Sequence, residues 1–147
     1  MIETKSIETL TLDKFSFLQD EFGFGKPVLN KDTWNTTVSY LSKEISIEIE
    51  LDWRDLDVFI LITRLDNGKL PKGYYLFNGK TCRLHLEEVL QKKLNVEKSE
   101  IKGLLQSGKK KKRKRNQESM IEKLGSYQRV VQDYAEAICR LEGTLFQ

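Results

Sequence analysis

Seven consecutive cations, Lys109, Lys110, Lys111, Lys112, Arg113, Lys114 and Arg115, form the densest chemical feature of this 147-residue chain. Packed side by side they repel one another, so they must be solvated or matched by anions. Phosphates are the obvious match. Such contacts give salt-sensitive affinity without base reading. No helix-turn-helix, zinc-finger or RNP pattern accompanies the block. A solvated loop is the plain alternative, and a eukaryotic cell could read the block as a nuclear import signal. A second group is Asp52-Trp53-Arg54-Asp55-Leu56-Asp57. Its carboxylates could hold a divalent cation, but the mid-loop Gly and terminal Glu of an EF-hand are missing. A polar connection between strands is the simpler reading, with Arg54 paired to an acid and Trp53 closing the core. Cys82 and His85 are a third group. C-x-x-H supplies two zinc ligands where a structural site needs four, and the chain has one histidine and two cysteines in all. Gly23-Phe24-Gly25-Lys26 lacks the spacing of a phosphate-binding loop, and no hydrolase or metalloprotease signature is present. These residues imply no catalytic set, no metal and no cofactor, although a site assembled from distant positions leaves no motif.

What remains is recognition. Trp34, Trp53, Arg54, Asp55 and Asp57 are the candidates for a partner-binding surface, since aromatics and arginine often anchor interfaces. Tyr74 and Tyr75 add exposed aromatic character. The charge distribution points the same way. Seven of the 25 basic residues lie in the block, which leaves 18 against 22 acidic residues, a balance of −4. The body is mildly acidic and carries one concentrated basic segment. At this length one domain can bury a sizeable core without disulfides. Two widely separated cysteines read as free thiols of a reducing compartment. No signal peptide and no membrane-spanning run are expected, and a cytoplasmic protein follows.

The elements that must position these residues can be read from periodicity. Leu12, Phe15, Leu18 and Phe22 share one helical face, which predicts a helix over about 12–22, capped by Thr11 and stopped by Gly23. Trp34 to Tyr40 and Ile45 to Leu51 alternate apolar with polar residues, the pattern of half-buried strands joined by the short link 41–44. One face should pack and the other should meet water. Val58 to Ile62 is apolar throughout, a strand covered on both faces or central in the sheet. Tyr74 to Phe77 is a further short strand. Leu86, Val89, Leu90 and Leu94 mark a helix, and Ile101, Leu104 and Leu105 a shorter one. Residues 107–117 form a linker-like break. Met120, Leu124, Tyr127, Val131, Tyr134, Ile138 and Leu141 then keep heptad spacing over three repeats. Docking on the body is the expectation for this stripe, which a weak coiled-coil homodimer would also use.

Helix, three or four strands, then helices predicts a single α+β domain over 1–147, an antiparallel sheet with helices on one face. Phe15-Ser16-Phe17-Leu18-Gln19-Asp20-Glu21-Phe22-Gly23-Phe24 and Asp133-Tyr134-Ala135-Glu136-Ala137 resemble the two ends of a family of small bacterial α+β proteins. Those open with an FxFLxxEFGF helix and close with an amphipathic helix containing YAE. The resemblance spans most of the chain and brings no catalytic residues. Some such proteins look like immunity partners of bacterial toxins, which act by binding. It implies a non-catalytic protein-binding module with an unidentified protein partner. Nucleic acid or another polyanion bound through 109–115 is the alternative.

Overall fold

The computed structural model describes residues 4–105 and 116–146. The chain opens with α1 (Thr4–Phe15) and α2 (Phe17–Phe22), then runs through β1 (Val28–Lys31), β2 (Asn35–Leu41), β3 (Ile45–Asp52) and β4 (Asp57–Arg64). A long connection carries the hairpin β5 (Leu76–Phe77) and β6 (Lys80–Thr81), and β7 (Arg83–His85) follows. Then come α3 (Leu86–Glu88), which continues as a π-helical turn over Val89–Lys93, α4 (Lys98–Leu105) and α5 (Gln117–Leu141). A 3-10 turn, Glu142–Phe146, ends the described chain.

The fold is α+β, and its sheet is antiparallel with the order β1-β2-β3-β4-β7. Every pairing in it joins strands that follow one another in that order, a meander whose last step crosses the β5–β6 connection. Five strands replace the expected three or four because β1 and β7 were not expected, while the expected strand 74–77 lies outside this sheet. Val28-Leu29-Asn30-Lys31 is too short to show alternation, and all four residues are exposed on the sheet edge. Only register with β2 defines this strand. Of the expected strand 74–77, only Leu76 and Phe77 pair with β6, and Tyr74 and Tyr75 lie outside the ladder.

One face of the sheet carries Val38, Tyr40, Ile45, Ile47, Ile49, Leu51, Val58, Ile60 and Ile62. These form one continuous core with Phe15, Leu18, Val89, Leu124, Val131 and Ile138 from the helices. The heptad stripe of α5 is therefore packed on its own chain, against α1, α2, α4 and β4. Asn116 starts this helix. Its side-chain oxygen accepts the Ser119 N–H at 2.8 Å while the Ser119 hydroxyl accepts the Asn116 N–H at 2.9 Å, a reciprocal cap.

The first helix departs from expectation at its start. It begins at Thr4, and Thr11 is not a cap but an interior residue whose hydroxyl donates to the Ile7 carbonyl at 2.7 Å. Such back-bonding satisfies a buried threonine without ending a helix. The chain breaks at Ser16 and re-forms as α2, which Gly23 ends with φ 77° as expected. The Phe24 N–H then returns to the Leu18 carbonyl at 3.0 Å.

Ile49 sits in the central strand, fully buried among these side chains. Ile49→Ala is expected to cost about 2–5 kcal/mol, because the transfer term and the cavity add. Urea denaturation at constant m-value checks it. Tyr40 is a second probe of the same core. Burial, and then the charge of Asp20, push its phenol up to about 12. The neutral phenol thus stabilises the fold fully below its ordinary pKa of about 10. That contribution should be lost as pH rises from there toward the folded value, and Tyr40→Phe should flatten this part of the alkaline stability profile.

Candidate interaction surfaces

The opposite face of the sheet is where the sequence reading fails most. Ser39, Ser46 and Glu48 were expected to meet water, yet all three are buried, together with Thr63 from β4. Residues 65–82, placed between β4 and β7, fold back over them as a strap. Register explains the clustering. Ser39 lies opposite Glu48 across β2–β3, and Ser46, Thr63 and Arg83 are cross-strand partners in β3, β4 and β7. Glu48, 2% exposed, gathers the group. Its Oε2 accepts from the Ser39 hydroxyl at 2.8 Å, and its Oε1 accepts from the Thr63 hydroxyl and from Arg83 Nε at 2.8 Å. A buried carboxylate needs such a set of donors, since desolvation otherwise neutralises it.

The Arg83 guanidinium then reaches in the other direction. Its Nη1 donates to the carbonyls of Gly73 and Tyr74, each at 2.9 Å. Burial alone would lower its pKa, but the Glu48 hydrogen bond and charge hold it above its usual value. One ion pair therefore fastens the strap to the sheet. The edges of the strap are tied as well. The Tyr74 hydroxyl donates to Glu50 Oε1 at 2.6 Å, and the Tyr75 hydroxyl lies 2.9 Å from His85 Nε2. Burial and the bond to Glu50 raise the Tyr74 phenol well above its ordinary value. The rings themselves stay outside, 43% exposed for Tyr74 and 46% for Tyr75, next to Leu76 at 61%.

Cys82 and His85 are both engaged in this strap. The Cys82 thiol is buried, its Sγ lies 3.2 Å from the Tyr74 carbonyl, and burial raises its pKa. His85 faces Tyr75 and the edge of Phe59. Among the described residues no group of three or more His, Cys, Asp or Glu side chains is placed to hold a metal ion. Both cysteines are unpaired.

The partner-binding candidates meet at one end of the sheet. Trp34 is not in β2 but in the turn from Asp32 to Asn35, closed by the Asp32 N–H on the Asn35 carbonyl at 2.7 Å. The β3–β4 turn sits beside it, because the Trp53 N–H donates to the Trp34 carbonyl at 2.8 Å. Arg54 extends over the Trp34 ring, 5.8 Å from its centroid, so it stacks on an aromatic where an acid was expected. Asp52 Oδ1 shapes the turn by accepting the N–H groups of Arg54 and Asp55. Trp53 is half-buried against the core, as expected, and its indole N–H donates to the Thr36 hydroxyl at 3.0 Å. Thr36 in turn donates to the buried Glu8, which pairs with Lys31 at 3.1 Å. Trp34, Trp53, Arg54 and Asp55 are thus brought together. Asp57 is not among them. It turns toward α5 and pairs with Lys123 at 2.7 Å. Lys109 to Arg115 lie outside the described residues.

The Glu48–Arg83 pair has a direct test. Glu48→Ala leaves Arg83 without its anion and should cost about 3–5 kcal/mol. Hydrogen exchange should quicken across residues 66–82 in particular. Replacing both partners by leucine should restore most of that stability, because no buried charge is then orphaned. No family model matches the chain, and no curated protein or solved structure is significantly similar to it.

Proposed function

We propose that this chain is a non-catalytic protein-binding module of inhibitor or immunity-like character, acting in a bacterial cytoplasm. The observation that carries this reading is Trp34. It is 57% exposed on a two-residue turn, yet its backbone is tied to Trp53 and its ring lies under Arg54. A large aromatic held rigid in water loses little entropy when it enters a partner's cavity. Exposed Asp32 and Asp55 flank it, and the charge balance outside the basic block is −4. Exposed Lys31 and Arg54 balance these two acids, so the surface suits a partner with an apolar recess rimmed by mixed charge. The resemblance carried by Phe15–Phe24 and Asp133–Ala137 supports the same reading. So does the use of Glu48, Arg83, Glu50 and His85 in bonds that hold the fold.

Trp34→Ala separates binding from folding. At so exposed a site it should change stability by less than about 0.5 kcal/mol. It should weaken the complex by at least about 30-fold if Trp34 anchors it. Affinity capture from nuclease-treated native lysate is the measurement. A protein retained by wild type, and by a variant with Lys109 to Arg115 replaced by Ser and Gly, should vanish with Trp34→Ala. Equal recovery by the Trp34 variant would sink this reading.

Binding of nucleic acid or another polyanion is the second reading, favoured by the seven cations of 109–115. Full engagement with duplex DNA would give a log–log salt slope of about −6. The Ser/Gly replacement should then abolish duplex binding while the urea midpoint stays unchanged. Unaltered affinity in that variant excludes the block as the binding element.

A further inference from the structure

We infer that the strap over the sheet is a stacking platform for single-stranded nucleic acid, formed by Tyr74 and Tyr75 with Lys69, Lys72 and Lys80. The inference rests on the second of the two readings above and gives it a site apart from the basic block. Charge is the first observation. Residues 66–82 hold three lysines and one aspartate, a balance of +2 on a body whose balance is −4. All three lysines are exposed. The strap is a cationic island on an acidic surface, which complements a phosphate backbone rather than the rest of this protein.

Ring presentation is the second observation. Both tyrosine hydroxyls are engaged, on Glu50 and His85, and both rings present exposed surface. Ring surface stacks on any base and reads none. Arg83, itself almost buried, lies 4.9 Å from the centroid of Tyr74 and backs that ring with a cation. The two rings stand at 85° with centroids 4.5 Å apart. They cannot continue one stack, so each takes its own base from a strand that turns between them. A duplex, whose bases are already stacked, does not offer that. Besides the buried Glu48, which Arg83 neutralises, the carboxylates of this region include Asp66, whose backbone is bridged to Lys69, and Glu50, which holds Tyr74. Asp66 and Glu50 disfavour phosphate, so affinity should depend on stacking more than on charge.

Fluorescence anisotropy tests this with a labelled oligothymidylate of about 12 nucleotides and an abasic strand of the same length. Wild type and the variant with 109–115 replaced by Ser and Gly should both bind oligothymidylate, the variant more weakly. In that variant Tyr75→Ala should lose roughly 5- to 150-fold in affinity, the range for one stacked base, while Tyr75→Phe stays near the parent. The abasic strand should bind weakly and ignore the Tyr75 change. If Tyr75→Ala unfolds, as circular dichroism will show, Lys72→Ser with Lys80→Ser should still weaken binding. No oligothymidylate binding by wild type overturns the nucleic-acid reading and this inference with it. Equal affinity for the abasic strand, or indifference to both the Tyr75 and the lysine changes, overturns the strap alone and leaves the block reading standing.

Discussion

A single carboxylate in the wrong place organises one side of this molecule. Glu48 stands on a strand whose alternation would send it into water, and the fold buries it instead. An isolated carboxylate there would be prohibitively unfavourable, so the structure must deliver cations and donors to it. Arg83 answers that demand, and its second set of N–H groups fixes the Gly73 and Tyr74 carbonyls. That pair pins the strap to the sheet at Gly73 and Tyr74, while Glu50 and His85 hold the two tyrosine rings.

The helical face is mainly apolar and carries one smaller device of this kind, the buried Glu8 that accepts from Thr36 and pairs with Lys31. Its aliphatic ladder, from Val38 through Ile49 to Ile60, meets α5 and the first two helices in a continuous apolar core. Burial of this area is non-directional and tolerates modest changes in shape. The sheet therefore has two sides with different physics. One is held mainly by dispersion and the hydrophobic effect, the other mainly by a few directional bonds. The surfaces proposed for recognition are the strap and the turns around Trp34, where hydrogen bonds hold the backbone.

Most of the fold was legible because periodicity reports burial. The stripe of α5, the alternation of β2 and β3 and the stop at Gly23 each have a local cause, and the structure contains each of them. The failures are equally physical. Thr11 resembles a cap because its hydroxyl favours local backbone bonds, and inside α1 it satisfies that preference on Ile7. Strand β1 carries no pattern of its own and exists through its neighbour. Asp57 read as part of the Trp34 group by proximity in sequence, but its ion-pair partner, Lys123, lies 66 residues away.

The sequence by itself determined the class of the fold, the helical face of the core and the charge contrast between body and basic block. All of these depend on residues near one another in the chain or on simple totals. Only the tertiary structure decided which side chains share a surface. Glu48 and Arg83 are 35 residues apart, and Trp34 and Arg54 belong to different turns. No local pattern encodes such meetings. Strand register and the path of the strap bring them about, and both are set by the packing of the whole chain.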